Sequence, residues 1–264
     1  MGFGPERRRG ARPGLMGGGP AAGEARQLLE RARLLGERRI YRLAGPSPED
    51  GPDTVGAPGF DESIAAATAE FDEAAWEAVR AEALECTRCE LCSTRTRVVW
   101  GSGTPRTGVL VVGEAPGYHE DQQGEAFVGR AGQLLTKILE AIGFGRDEVF
   151  ITNVLKCRPP GNADPQPHQV AECEPYLVRQ IELIDPVVIL ALGRHAARTL
   201  LRDEGSMASL RGRIHRYEGV PLLATYHPAA LLRNPALKRP TWEDVQLLRK
   251  VYDDEMTARE NHDG

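Results

Sequence analysis

From about residue 70 onward, apolar and polar positions follow two patterns in turn. Four short runs are almost wholly apolar: "VLVVG" (109–113), "VFITNV" (149–154), "VVILALG" (187–193) and "PLLATYH" (221–227). Around and between them apolar residues recur at helical spacing, in "FDEAAWEAVRAEALEC" (71–86), "AGQLLTKILEAIG" (131–143), "HQVAECEPYLVRQIELI" (168–184), "RHAARTLLRDE" (194–204) and "TWEDVQLLRKVYDDEM" (241–256). Strands without a polar face must be covered on both sides, and strands separated by helices pair in parallel. The predicted fold class is therefore α/β, a three-layer α/β/α arrangement about a central, mainly parallel four-stranded sheet. Ligands of such sheets gather beyond the carboxyl ends of the strands. Glu114, Asn153, Arg194, His195 and His227 all fall there.

The first 65 residues lack this order. Stretches such as "RRRGARPGLMGGGP" and "AGPSPEDGPDTVGAPG" cannot bury enough apolar surface to fold alone. They flank "EARQLLERARLLGERRIYRL" (24–43), whose leucines have amphipathic spacing. The expected organisation is a disordered or weakly helical extension over 1–65, a folded domain over 66–256 and a short tail over 257–264. The extension is the expected contact for a replication or repair protein, and Met16 is an alternative start. No apolar run approaches the roughly 18 residues of a membrane span, and no signal peptide is apparent, so the expectation is a cytoplasmic monomer without membrane contact. The net charge of −5 gives no general attraction to nucleic acid, so any DNA contact needs a local basic face.

Three of the five cysteines crowd into Cys86, Cys89 and Cys92, while Cys157 and Cys173 stand far downstream. In a reducing compartment such a cluster indicates metal. Four thiolates suit tetrahedral zinc or an iron–sulfur cluster, and the dispersed second pair leans toward the cluster. On spacing alone, Cys92 is either an unligated thiol or a rival ligand.

The loop "GEAPGYHEDQQGEAFVGRAGQLL" (113–135) is neither a Walker A loop nor a dinucleotide fingerprint. It carries a carboxylate at the strand tip, an aromatic at Phe127, and a Gly-Arg turn opening a helix, where Arg130 and the helix N-terminus suit a phosphate. Asn153 at a strand end has the donor and acceptor needed to read a base edge. His227, before a proline, is placed to donate to developing negative charge. The apolar segment after it is suited to wedge into a base stack.

Taken in order, "GEAPG…ED…G…FVGRAGQLL", "ITNVLKCRPPGN" and "HPAALLRNP", with C-x-x-C and two later cysteines, resemble the family 4 uracil-DNA glycosylases over about residues 84–255. The resemblance implies an α/β/α fold, a [4Fe–4S] cluster on Cys86, Cys89, Cys157 and Cys173 with Cys92 left over, and hydrolysis of the bond between uracil and deoxyribose in single- or double-stranded DNA. It implies that Glu114 orients or deprotonates the attacking water and His227 donates to uracil O2. Phe127 would stack on the flipped base, Asn153 would read O4 and N3–H, and Glu120 would crowd C5 and so reject thymine. Leu231, Leu232 and Arg233 correspond to the segment that enters the duplex. The cluster would be structural, since hydrolysis transfers no electron.

Ala126 replaces a proline common in the family, and Ala163 an arginine. "RGRIH" (211–215) resembles the histidine-bearing insert of a related group but lies elsewhere in the order, so His215 is expected in a surface turn. Alternative readings are a glycosylase of the same fold for another deaminated base, a non-catalytic iron–sulfur DNA-binding module, and a nucleotide-binding protein with structural zinc.

Overall fold

The computed structural model describes Met1 and residues 71–263; the expected extension, its 24–43 helix and the domain boundary at 66 lie outside the described residues. In chain order the strands are β1 (Ser102–Gly103), β2 (Val109–Gly113), β3 (Phe150–Asn153), β4 (Val188–Leu192), β5 (Ile214–Tyr217) and β6 (Val220–Thr225). The helices are α1 (Glu73–Leu84), α2 (Tyr118–Gln123), α3 (Arg130–Glu140), α4 (Pro167–Ile184), α5 (Arg194–Leu201), α6 (Met207–Leu210), α7 (Pro228–Arg233) and α8 (Lys238–Asp263).

One six-stranded sheet runs in the order β1-β3-β2-β4-β6-β5. Its four central strands are parallel, as the apolar runs predict, and each is buried along its whole length. Among the described residues the sheet has six strands rather than the expected four. Antiparallel β1 and β5 close the two edges. Neither has an apolar run: β1 is two residues long, and β5 reads Ile-His-Arg-Tyr with alternating exposure. His215 thus lies in an edge strand rather than a turn, its Nε2 2.7 Å from the Leu210 carbonyl oxygen.

Alternate residues of the parallel strands face opposite layers. Leu110, Val112, Ile189, Ala191, Leu222 and Ala224 pack with Trp76 and Val79 of α1, Leu177 and Ile181 of α4 and Leu200 of α5. Val109, Val111, Leu190, Leu192 and Leu223 pack with Leu135 and Leu139 of α3 and Val245, Leu248 and Val251 of α8. This is the three-layer arrangement, with side chains interleaved at period two. Parallel pairing aligns the carboxyl ends of the strands, so that Gly113 lies beside Asn153 and Leu192 beside Thr225. The last helix continues through 257–263, the stretch expected as a tail. Among the described residues no helix is long and apolar enough to cross a membrane.

A buried polar clamp fixes α8 to the end of β6. Asp244, whose side chain has no exposure, accepts from Arg211 Nε (2.9 Å) and Nη2 (2.8 Å), and from Thr225 Oγ1 (2.6 Å). Removing one member of such a pair leaves a buried charge without its partner. Asp244→Ala is expected to lower unfolding free energy by about 3–5 kcal/mol, measured by urea denaturation.

Candidate active site

The aligned strand ends open on a cavity of about 380 Å³ whose lining includes Glu114, Glu120, Phe127, Asn153, Asp164 and His227. Glycine at position 113 permits this convergence. A Cβ there would stand 2.4 Å from Asn153 Oδ1 and 2.6 Å from the Phe127 ring, so the side chains on either side close over the bare strand tip. Phe127 itself has φ +54°, a left-handed conformation that costs a non-glycine residue about 1–3 kcal/mol. Neighbouring structure enforces it. Gly132, in the first turn of α3, lets the Phe127 carbonyl pass where a Cβ would be 1.6 Å from its oxygen, and Arg146 Nη2 donates to the adjacent Ala126 carbonyl (2.5 Å).

Asn153 is 2% exposed, and its Oδ1 has no hydrogen-bond partner among the described residues. A buried unpaired acceptor costs about 1–3 kcal/mol, so an orphan on a residue that lines a cavity calls for a donor. Opposite it, His227 accepts from the Ala229 N–H at Nδ1 (3.2 Å), which leaves the proton of the neutral ring on Nε2. Burial, assisted by the positive charge of Arg233, pushes its pKa down to about 4, while Glu120 opposes the shift. The imidazole is thus a neutral donor, its ring 5.5 Å from that of Phe127. Glu120 is fixed by accepting from the Gly129 N–H through Oε1 (2.9 Å), across the loop that carries Phe127.

Glu114 lies on the opposite rim. Burial pushes its carboxyl above the ordinary carboxylate range; His195 pulls it back, Asp164 adds to the rise and Arg194 lowers it. His195 Nε2 is 3.9 Å from Glu114 Oε2 and 3.4 Å from Asp164 Oδ2, and Arg194 Nη2 is 3.5 Å from the same Asp164 oxygen. Asp164, in the loop after "RPPGN", has no motif to announce it in the sequence and was not anticipated.

The residues expected to meet DNA are not all placed alike. Arg130 is exposed at the start of α3, outside the cavity lining. Arg233 is exposed and lines the cavity, and Leu232 is 42% exposed. Leu231, in contrast, is 2% exposed. The segment is the helix α7, and a helical turn directs consecutive leucines to different sides, one into the fold and one to solvent.

A second, smaller cavity is lined by Cys86, Cys89, Cys157 and Cys173 together with Arg95, Lys156 and Tyr176, but not by Cys92. Arg95 Nη1 donates to Cys157 Sγ (3.3 Å) and the Lys156 N–H to Cys173 Sγ (3.2 Å), the donor arrangement that sulfur ligands need. Burial pushes the Cys89, Cys157 and Cys173 thiols up, Cys157 to about 11, so a bound cation would be required to hold them as thiolates. Among the described residues, the group whose ligand atoms all lie within 4.8 Å of one another is Glu114, Asp164 and His195, and no three cysteines form such a group.

Sequence comparison adds family relations to this geometry. The family model described as Uracil DNA glycosylase superfamily matches residues 100–247. A type-4 uracil-DNA glycosylase of Sulfurisphaera tokodaii is 42% identical over 184 residues, covering 66% of this chain and 84% of that protein. One of Archaeoglobus fulgidus is 46% identical over 178 residues, 64% of this chain and 89% of that protein. One of Thermotoga maritima is 43% identical over 174 residues, 64% and 91% respectively.

The His227 environment sets a sign for acid stability. The folded pKa is depressed to about 4 from 6.5, so the unfolded chain takes up the proton first. The contribution is complete above about pH 6.5 and is lost as pH falls toward 4. Denaturation at a series of pH values is expected to show wild type losing stability relative to His227→Gln across that window.

Proposed function

Because the chain belongs to the uracil DNA glycosylase superfamily, we propose that it is a DNA repair hydrolase that takes uracil flipped from DNA and cleaves its N-glycosidic bond, leaving an abasic site. The observation that carries this reading is the orphaned Oδ1 of Asn153, a residue that lines a cavity together with Phe127 and His227. Uracil supplies what the oxygen lacks. Its N3–H donates to Oδ1 while its O4 accepts from the Asn153 amide, and cytosine, with an acceptor at N3 and a donor at C4, reverses both.

In this reading Phe127 stacks on the base and Glu120, held by Gly129, crowds C5 against a thymine methyl. As the bond from C1′ to N1 breaks, the electron pair leaves with uracil, and the neutral His227 Nε2–H donates to O2, where negative charge gathers. Water adds to C1′ and gives its proton to the Glu114 carboxylate, whose charge also steadies the cationic sugar. Arg130, Leu232 and Arg233 serve the DNA: the two arginines meet phosphates, and Leu232 takes the place vacated by the base. Leu231, as the buried side of the same helical turn, supports them.

The four cysteines would hold a [4Fe–4S] cluster, the reading that the family relation and the dispersed positions of Cys157 and Cys173 in the sequence support, with N–H donors already aimed at two of the sulfurs. When bound, it supplies a cross-link between the chain after α1 and the β3–α4 region; the hydrolysis uses no electron from it. Such a protein works as a monomer in the cytoplasm, wherever DNA is exposed to deamination.

Anaerobically purified protein is expected to release uracil from a uracil-containing oligonucleotide, and Glu114→Gln to reduce the rate by about 10²-fold or more. No release by folded protein would hand the cavity to another deaminated base. Cys173→Ser is expected to lower bound iron and acid-labile sulfide, measured by elemental analysis, whatever its activity.

A further inference from the structure

Two residues at the carboxyl edge of the sheet, Arg194 and His195, have no part in the chemistry above, yet α5 begins with them beside the water-activating carboxylate. His195 stands between two acids from different segments, Glu114 at the tip of β2 and Asp164 in the loop that follows Asn162. Its side chain is 27% exposed and that of Glu114 31%, so the pair is partly withdrawn from solvent, whereas Asp164 is 69% exposed on the outer side. Arg194 Nη2 approaches Asp164 from the same helix start. Unlike His227, His195 is not part of the cavity lining. The close approach of Gly193 to the His227 side chain ties this helix start to the base-facing wall, since a Cβ there would come within 3.0 Å of His227 Cβ.

We propose that His195 is a positioning residue: its ring, 3.4 Å from Asp164 on one side and 3.9 Å from Glu114 on the other, keeps the Glu114 carboxylate in its ionised form and aimed at the attacking water. This deepens the uracil-releasing reading and rests on it. A half-buried carboxylate left alone takes up a proton, and a protonated Glu114 neither accepts a proton from water nor steadies a cationic sugar. Among the described residues, the titratable and charged groups facing Glu114 are His195 and Arg194 from α5 and Asp164 from the preceding loop; the first two favour its ionised form and Asp164 disfavours it. The arrangement resembles a relay in which a base is oriented by a third group, although no proton need pass through His195. Asp164 also gives the pair a second effect, since its bond to α5 draws the 159–164 loop to the cavity rim.

The test combines turnover with a direct titration of the Glu114 carboxyl by carbon-13 NMR, in wild type, His195→Gln and His195→Lys. For His195→Gln the expected result is a fall in kcat of at least about tenfold with KM within about twofold, and an acid limb of the kcat profile displaced to higher pH. The Glu114 midpoint should move in the same upward direction. His195→Lys, which places a cation there, should return both midpoint and acid limb toward wild type; a residue with only a packing role would be hurt equally by both substitutions. An unchanged Glu114 midpoint in His195→Gln, or a kcat profile superposable on wild type, overturns the proposal. The NMR titration separates this failure from that of the parent reading, because it needs no uracil release to be read.

Discussion

Lys156 is the interior charge around which the two cavities are organised. Its side chain is buried, and its Nζ donates to Thr152 Oγ1 (2.8 Å), to the Asn153 carbonyl (2.6 Å) and to Gln180 Oε1 (2.7 Å), while Gln180 in turn donates to the Trp100 carbonyl. Burial lowers its pKa to about 7, with Cys173 and Cys157 pulling the other way. An ammonium in such a place is stable only when its donors are used, and here they are used on the end of β3 and on α4. The same residue's backbone N–H reaches Cys173 and the next residue is Cys157. One turn of chain thus fixes the Asn153 carbonyl on one side and two thiols on the other.

The front cavity obeys a different rule, in which backbone shape is set first and chemistry is added to it. Phe127 occupies a conformation that few side chains tolerate, and the loop holding it is closed by the carboxylate of Glu120, the guanidinium of Arg146 and the absence of side chains at Gly113 and Gly132. Its aromatic wall is therefore in place before any base arrives, and binding need not order it. The polar groups divide by sign across that wall. His227 is a neutral donor and Glu114 a carboxylate. Environment tunes both: burial beside Arg233 keeps the imidazole neutral, and burial raises the Glu114 carboxyl while His195 opposes that rise.

The sheet core was legible because its information is local. "VLVVG" is β2 to the residue, and the strand-end placement of Glu114, Asn153 and His227 follows from parallel pairing alone. The edge strands were not legible, since a two-residue strand and an alternating polar one owe their existence to the neighbour they pair with. Lys156 left a readable trace, a cation inside the apolar stretch "NVLKC", but its meaning lay in Gln180, 24 residues away. Asp164 left none. Its importance comes from a loop that brings it to His195, across 31 residues of sequence, and nothing in "GNADP" indicates that approach. Leu231 shows the remaining gap: two adjacent leucines in a six-residue helix look alike in the sequence, and only the position of α3 beneath α7 decides which is core.

The edges of the sheet have a bearing on how this chain behaves in company. A parallel core such as β3-β2-β4-β6 would, if left bare at its sides, offer rows of unpaired N–H and C=O groups to any neighbouring chain. β1 caps one side with a strand too short to template another, and β5 caps the other with His215 and with Arg216, which is held toward Glu255 at 3.5 Å. Crowding in a cell favours strand-to-strand adhesion, and these two modest elements turn it away. The antiparallel borders, which contribute little to the cavity, thus act as the fold's defence against growing into a fibril.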